Sequence, residues 1–145
     1  MPPVTKAQLD HAVAILQRAR GGARASSELS RAISSEQLGP GQSEQLSSLV
    51  YAALRRERRV VAVLRELGAD VSGPHAARLM VIGAGLLEAS PLFEPEEARA
   101  AWSEVSWQRF LQTDATLLAR TRGVEKVALL GSLPDFLAQL LHSEY

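Results

Sequence analysis

Apolar residues in this chain return at steps of three and four, and no stretch of it alternates apolar with polar. Leu9, Ala12, Val13, Leu16 and Ala19 form the first such series; Leu46, Leu49, Val50, Ala53 and Leu54 form another, and Val60, Val61, Leu64 and Leu67 a third. That spacing collects side chains on one face of an α-helix, whereas a half-buried strand needs a period of two. A chain patterned in this way must bury its stripes helix against helix. The fold class expected is all-α, a bundle of about seven to nine helices.

The helix ends are marked as well. Thr5 followed by Gln8 reads as a capping box, and Gly21-Gly22 stops the first helix. A short second helix fits "SSELSRAISSEQL", with Leu29, Ala32 and Ile33 facing inward. Gly39-Pro40-Gly41 is a break, after which Ser43 starts the longest element; a kink or short turn is expected at the arginines of residues 55–59. A mostly apolar helix runs from Pro74 to Ala89. It contains Gly83 and Gly85, each costing about 1 kcal/mol against Ala in a helix interior, so their use is close approach of a neighbouring helix. "EPEEARAAW" opens a helix with proline and acids, which suits the positive end of the dipole. "SWQRFLQ", "TDATLLAR", "GVEKVALLG" and "SLPDFLAQLLHSEY" read as shorter pieces, the last running to Tyr145 without a capping glycine, like a domain edge. Leu9, Val13, Leu16, Leu49, Val50, Leu54, Leu64, Leu79, Ile82 and Leu86 are the predicted core.

Length and composition close off several classes of function. At 145 residues, 46% hydrophobic and 22% charged, one soluble domain with a real core is expected. No run of about 18 apolar residues is present, so no membrane span is expected. The start "MPPVTKAQLD" lacks the charged and apolar regions of a signal peptide. Cysteine is absent, which removes disulfides, thiolate nucleophiles and thiolate metal sites and fits a cytoplasmic location.

Catalytic apparatus is not legible. His11, His75 and His142 stand far apart, none at ligand spacing with another histidine or acid. "VIGAGLLE" has a G-x-G but no third glycine and follows no strand, so it is no dinucleotide fingerprint. Glu94, Glu96 and Glu97 are accounted for by a helix start. Trp102 and Trp107, five apart, read as core anchors before they read as base-stacking rings. No catalytic residue, metal ligand or cofactor is assigned to this chain.

Charge is distributed unevenly. Residues 1–65 carry ten Lys and Arg against five acids, and residues 66–145 carry six against eleven, so a net charge of zero conceals a basic and an acidic half. Fourteen of the sixteen bases are arginine, which suits bidentate phosphate contacts but is equally what a GC-rich genome yields. The densest block is "LVYAALRRERR", with Arg55, Arg56, Arg58 and Arg59 around Glu57. On a continuous helix Arg55, Arg58 and Arg59 make one stripe whose like charges repel. A solvated basic face explains the block; so does phosphate binding, where each neutralised phosphate releases counterions. On the second reading Arg18, Arg20 and Arg24, from the end of the first helix, join Arg55, Arg56, Arg58 and Arg59 in one RNA-facing surface. Replacing Arg55, Arg58 and Arg59 by Ala is then expected to spare the fold, as surface positions.

The stretch "AVAILQRARGGARASSELSRAI…LGPGQSEQLSSLVYAALRRERRVVAVLREL" resembles the N-terminal segment of bacterial ribosomal-RNA cytosine-5 methyltransferases, which has the fold of the antitermination factor NusB. The shared elements are Ala12 to Leu16, Gly21-Gly22, Leu29 to Ile33, Leu49-Val50-Tyr51 and Leu54-Arg55 onward. "SLPDFLAQLLHSEY" is similar to the linker helix of the type L-P-x-W-L that leads into the methyltransferase domain, with Phe136 in place of Trp. Between them, neither the family's "N-E-A-V" helix nor its "F-V-N" helix is legible in residues 70–131. The resemblance implies a NusB-like RNA-binding domain over residues 1–131 and the start of a linker helix over residues 132–145. It implies a parent enzyme methylating carbon 5 of cytosine in RNA, with ribosomal RNA as the expected substrate, and S-adenosylmethionine and catalytic cysteines in a following domain. A helical protein-interaction module, docking through the acidic half or the Trp102/Trp107 region, is the alternative, together with a free-standing antitermination factor.

Overall fold

A computed structural model describes residues 4–120. Over them the chain forms seven helices and no strand: α1 (Lys6–Arg20), α2 (Ala25–Ser35), α3 (Pro40–Arg55), α4 (Glu57–Glu66), α5 (Ala76–Leu87), α6 (Pro95–Ala101) and α7 (Trp107–Arg120). The helical pieces expected at 123–131 and 132–145, with His142, lie outside the described residues. None of the described helices is long and apolar enough to cross a membrane.

The hub is α5. It packs against α1, α3, α4 and α7, while α1 also packs on α3, α2 lies across α1 and α3, and α6 rests on α7. From Ala76 to Leu86 every residue of α5 except Arg78 is buried, as befits a helix apolar on all sides. Its two glycines are where neighbours come closest. A Cβ on Gly83 would lie 2.9 Å from both Phe110 Cζ of α7 and Val60 Cγ1 of α4. At Gly85 the intruder is a loop ring and not a helix: Phe93 Cδ2 would be 2.6 Å away. Nine of the ten predicted core residues are buried; Leu54, in the last turn of α3 beside the kink, is only partly so.

Caps explain several of the boundaries. At the end of α1 the Ala23 N–H donates to Arg18 O at 3.0 Å and the Gly22 N–H to Ala19 O at 3.1 Å, with Gly22 at φ +113°. This is a Schellman ending, and it fixes where Arg18 and Arg20 leave the helix. α2 ends in the same way, with Leu38 N–H donating to Ile33 O, but the left-handed position there is Gln37, at φ 52°.

Several local features differ from expectation, among them α5, which spans Ala76–Leu87 and not Pro74 to Ala89. α3 begins at Pro40 and not Ser43, because proline suits a first helical position and the Gln42 side chain accepts the Gly39 N–H at 3.2 Å. The capping box at Thr5 is half made. Thr5 Oγ1 accepts from the Gln8 N–H, but the Gln8 side chain turns inward and donates to Gln42 O at 2.9 Å, tying α1 to α3. "SWQRFLQ" and "TDATLLAR" form one helix, since Phe110, Asp114 and Leu117 continue a single buried face through Thr113.

Candidate nucleic-acid interface

The arginine block sits on a kink. α3 ends at Arg55 and α4 starts at Glu57, with Arg56 between them at φ −108° and ψ 11°. Helical hydrogen bonds still run through the junction, from Arg56 N–H to Ala52 O and from Val60 N–H to Arg56 O. The four guanidinium groups are therefore not one stripe. Arg55 and Arg56 reach the two oxygens of Glu88, at the end of α5, at 2.6 and 3.2 Å. Arg59 turns the other way and makes a bidentate pair with Asp114 of α7, both bonds 2.7 Å. Arg58 is partly buried and has contacts of its own.

Burial separates these residues by role. The Arg55 side chain is 61% exposed and Arg56 only 19%, with the Arg56 Nε buried and unpartnered. Arg59 and Asp114 are 13% and 9% exposed. Arg59 is thus a clamp between α4 and α7, and the expectation that Arg55, Arg58 and Arg59 are all replaceable surface positions fails at this residue. The reason is Asp114, distant in sequence, whose carboxylate needs a cation once α7 buries it.

The two basic groups meet at one contact. Arg20, at the end of α1, lies 4.0 Å from Glu57 in the block and places a guanidinium nitrogen 3.1 Å from Met80 Sδ. Arg18 holds Glu28 of α2 at 2.6 Å while its side chain stays 51% exposed, and Arg31 lies 3.6 Å from the same carboxylate. Arg24 is exposed just before α2. Among the described residues, Arg18 and Arg31 thus meet Glu28, Arg20 meets Glu57, Arg55 and Arg56 meet Glu88, and Arg59 meets Asp114. The end of α1, rich in arginine, lies beside the arginine-rich α3–α4 kink, joined to it through Arg20 and Glu57.

Elsewhere the two tryptophans divide. Trp107 is buried, its Nε1 donating to Trp102 O at 2.9 Å and its ring 5.3 Å from that of Phe110. Trp102 is partly exposed and lies 4.6 Å from the His75 ring, on the wall of a groove of about 380 Å³ that also includes Asp70, Glu104 and Arg109. No group of three or more His, Asp or Glu side chains among the described residues is arranged to hold a metal ion.

Fold and face together define a class, a small helical bundle with an arginine-rich face at one helix junction. No protein-family model, curated protein or solved structure matches the chain.

Proposed function

We propose that this chain is an RNA-binding helical domain whose α1 end and α3–α4 kink hold phosphates. The observation that carries the reading is the approach of Arg20, at the end of α1, to Glu57 inside the arginine block, which sets the α1 terminus beside the α3–α4 kink although the two are distant in sequence. Arg18, Arg24 and Arg55 contact phosphate; Arg56 and Arg59 set the junction's shape through Glu88 and Asp114. Contacts of this kind orient an RNA without reading its sequence. On the fuller reading suggested by the resemblance, the domain is NusB-like. It presents ribosomal RNA to an S-adenosylmethionine-dependent cytosine-5 methyltransferase domain.

The test is the triple substitution Arg18→Ala, Arg24→Ala, Arg55→Ala, with Arg59 left in place. Arg24→Ala and Arg55→Ala should cost no more than about 0.5 kcal/mol each in urea melts. Arg18→Ala leaves the buried Glu28 to Arg31 at 3.6 Å and should lower the midpoint further. RNA binding is therefore compared at a temperature where circular dichroism shows the variant folded. Affinity for single-stranded RNA should fall, and the salt slope should flatten by about 0.7 for each phosphate no longer held. Unchanged affinity would remove the face from RNA binding. One observation favours a second reading, a protein-interaction module: much of the block is already neutralised by Glu88 and Asp114, while the Trp102–His75 groove stands open. On that reading a partner binds with little salt dependence, and Trp102→Ala weakens it.

A further inference from the structure

Beside the basic face, on α3, lies a second feature that the arginines do not explain. Tyr51 is the one large hydrophobic side chain standing exposed among the described residues, at 39%. Its ring has no aromatic partner among those residues. One helical turn further on is Arg55, and one turn back is Ser47; spacing of four places all three along one stripe of α3. With Glu44 and Ser48 of α3, and with Glu88, Ser90 and Leu92 at and after the end of α5, they line a pocket of about 410 Å³. Its two carboxylates leave Arg55 as the position for a phosphate and the Tyr51–serine side for the base. That volume is within the range of small-ligand sites, about 300–1,000 Å³. Glu88 fixes the position of Arg55 at the rim, and Arg56 shares that carboxylate, so its charge is balanced from two sides.

We infer that this pocket takes one unpaired nucleotide of the bound RNA: the base stacks on Tyr51, its phosphate is held by Arg55, and serine hydroxyls meet the base edge or sugar. The inference rests on the RNA-binding reading above and adds to it a preference for unstacked over duplex RNA. The chemistry favours this occupant. A lone aromatic ring four residues from a guanidinium on one helix face supplies a π-surface and a cation at the separation of neighbouring helical turns, about 5–6 Å between Cβ atoms. Unpaired bases are recognised through such stacking, whereas bases within an A-form duplex are stacked on one another and present no free face. Serine hydroxyls both donate and accept, so they tolerate any base edge.

The experiment compares the full chain with Tyr51→Ala, Tyr51→Trp and the triple arginine variant. Each is titrated with a mixed-sequence RNA strand, with the same strand annealed to its complement, and with strands carrying 2-aminopurine. Tyr51→Ala should weaken single-strand binding about ten-fold, the effect of losing one stacked base, and leave duplex binding and the salt slope unchanged. Tyr51→Trp should retain or improve single-strand binding, and 2-aminopurine emission should be quenched by the parent and not by Tyr51→Ala. If Tyr51→Ala binds single strands as the parent does while the arginine variant is weakened, the nucleotide pocket is overturned and the phosphate-binding face stands. If the parent binds neither strand nor duplex, the RNA reading itself falls and takes this inference with it.

Discussion

Removal of the Asp114 carboxylate should be among the most damaging single changes available in this chain. In the fold it accepts two 2.7 Å bonds from Arg59, and both side chains are close to nine-tenths buried. Asp114→Ala leaves a guanidinium enclosed between α4 and α7 with no anion to meet it. Breaking one side of a buried pair costs about 3–5 kcal/mol. Arg59 keeps a little access to water, which places the expected loss near the lower end, about 3 kcal/mol. Against a total stability of roughly 5–15 kcal/mol for a domain, that is a large fraction, and it should lower the thermal midpoint by about 10 °C. Urea unfolding followed by circular dichroism gives the measurement. The paired replacement Arg59→Met with Asp114→Leu supplies the control, since exchanging a buried ion pair for apolar side chains is often neutral or stabilising. The double variant should therefore recover most of the loss. An Asp114→Ala midpoint indistinguishable from the parent's would refute the assignment of Arg59 as an inward clamp.

Other substitutions test the packing and the caps. Gly83→Ala should destabilise by about 1–3 kcal/mol in urea melts despite its better helix propensity, because the new methyl meets Phe110 and Val60 at 2.9 Å. Gln37→Gly should stabilise by about 0.5–1 kcal/mol, since it relieves a side chain held at φ 52°; no gain in midpoint would argue against the Schellman ending of α2. Asp70 accepts from the Ser72 backbone N–H and then from its hydroxyl, which hold its carboxyl below the ordinary aspartate pKa. Its stabilising contribution is complete above the unfolded-state pKa of about 3.9 and is lost as pH falls through the lower folded value. A carboxyl carbon titration by NMR should find that lower midpoint, and Asp70→Asn should remove the effect.

Local signals carried further than long-range ones. The steps of three and four in α1, α3 and α4 were enough to place the core, and Gly21-Gly22 enough to end α1, because both act within a few residues of the chain. Side-chain partners were another matter. Nothing near Arg59 announces that its carboxylate is Asp114, and Glu88 reads as the end of an apolar helix until α5 packs beside α3 and brings it to Arg55 and Arg56. Gln8 had the spacing of a capping residue yet spends its amide on Gln42 of another helix. Of the seven candidate arginines, Arg18, Arg20, Arg24 and Arg55 are exposed, whereas Arg56, Arg58 and Arg59 are partly buried, Arg59 in a pair with Asp114. Tyr51, embedded in an apolar run, gave no sign of exposure; its period relative to Ser47 and Arg55 was the available clue.

Whether the face formed by α1 and the α3–α4 kink holds phosphates is decided by the affinity of the chain for single-stranded RNA between about 50 and 200 mM salt. With three to five phosphates held, the logarithm of the binding constant should fall against the logarithm of salt with a slope of roughly −2 to −4. Binding that does not change with salt, or no binding across the range, would contradict it.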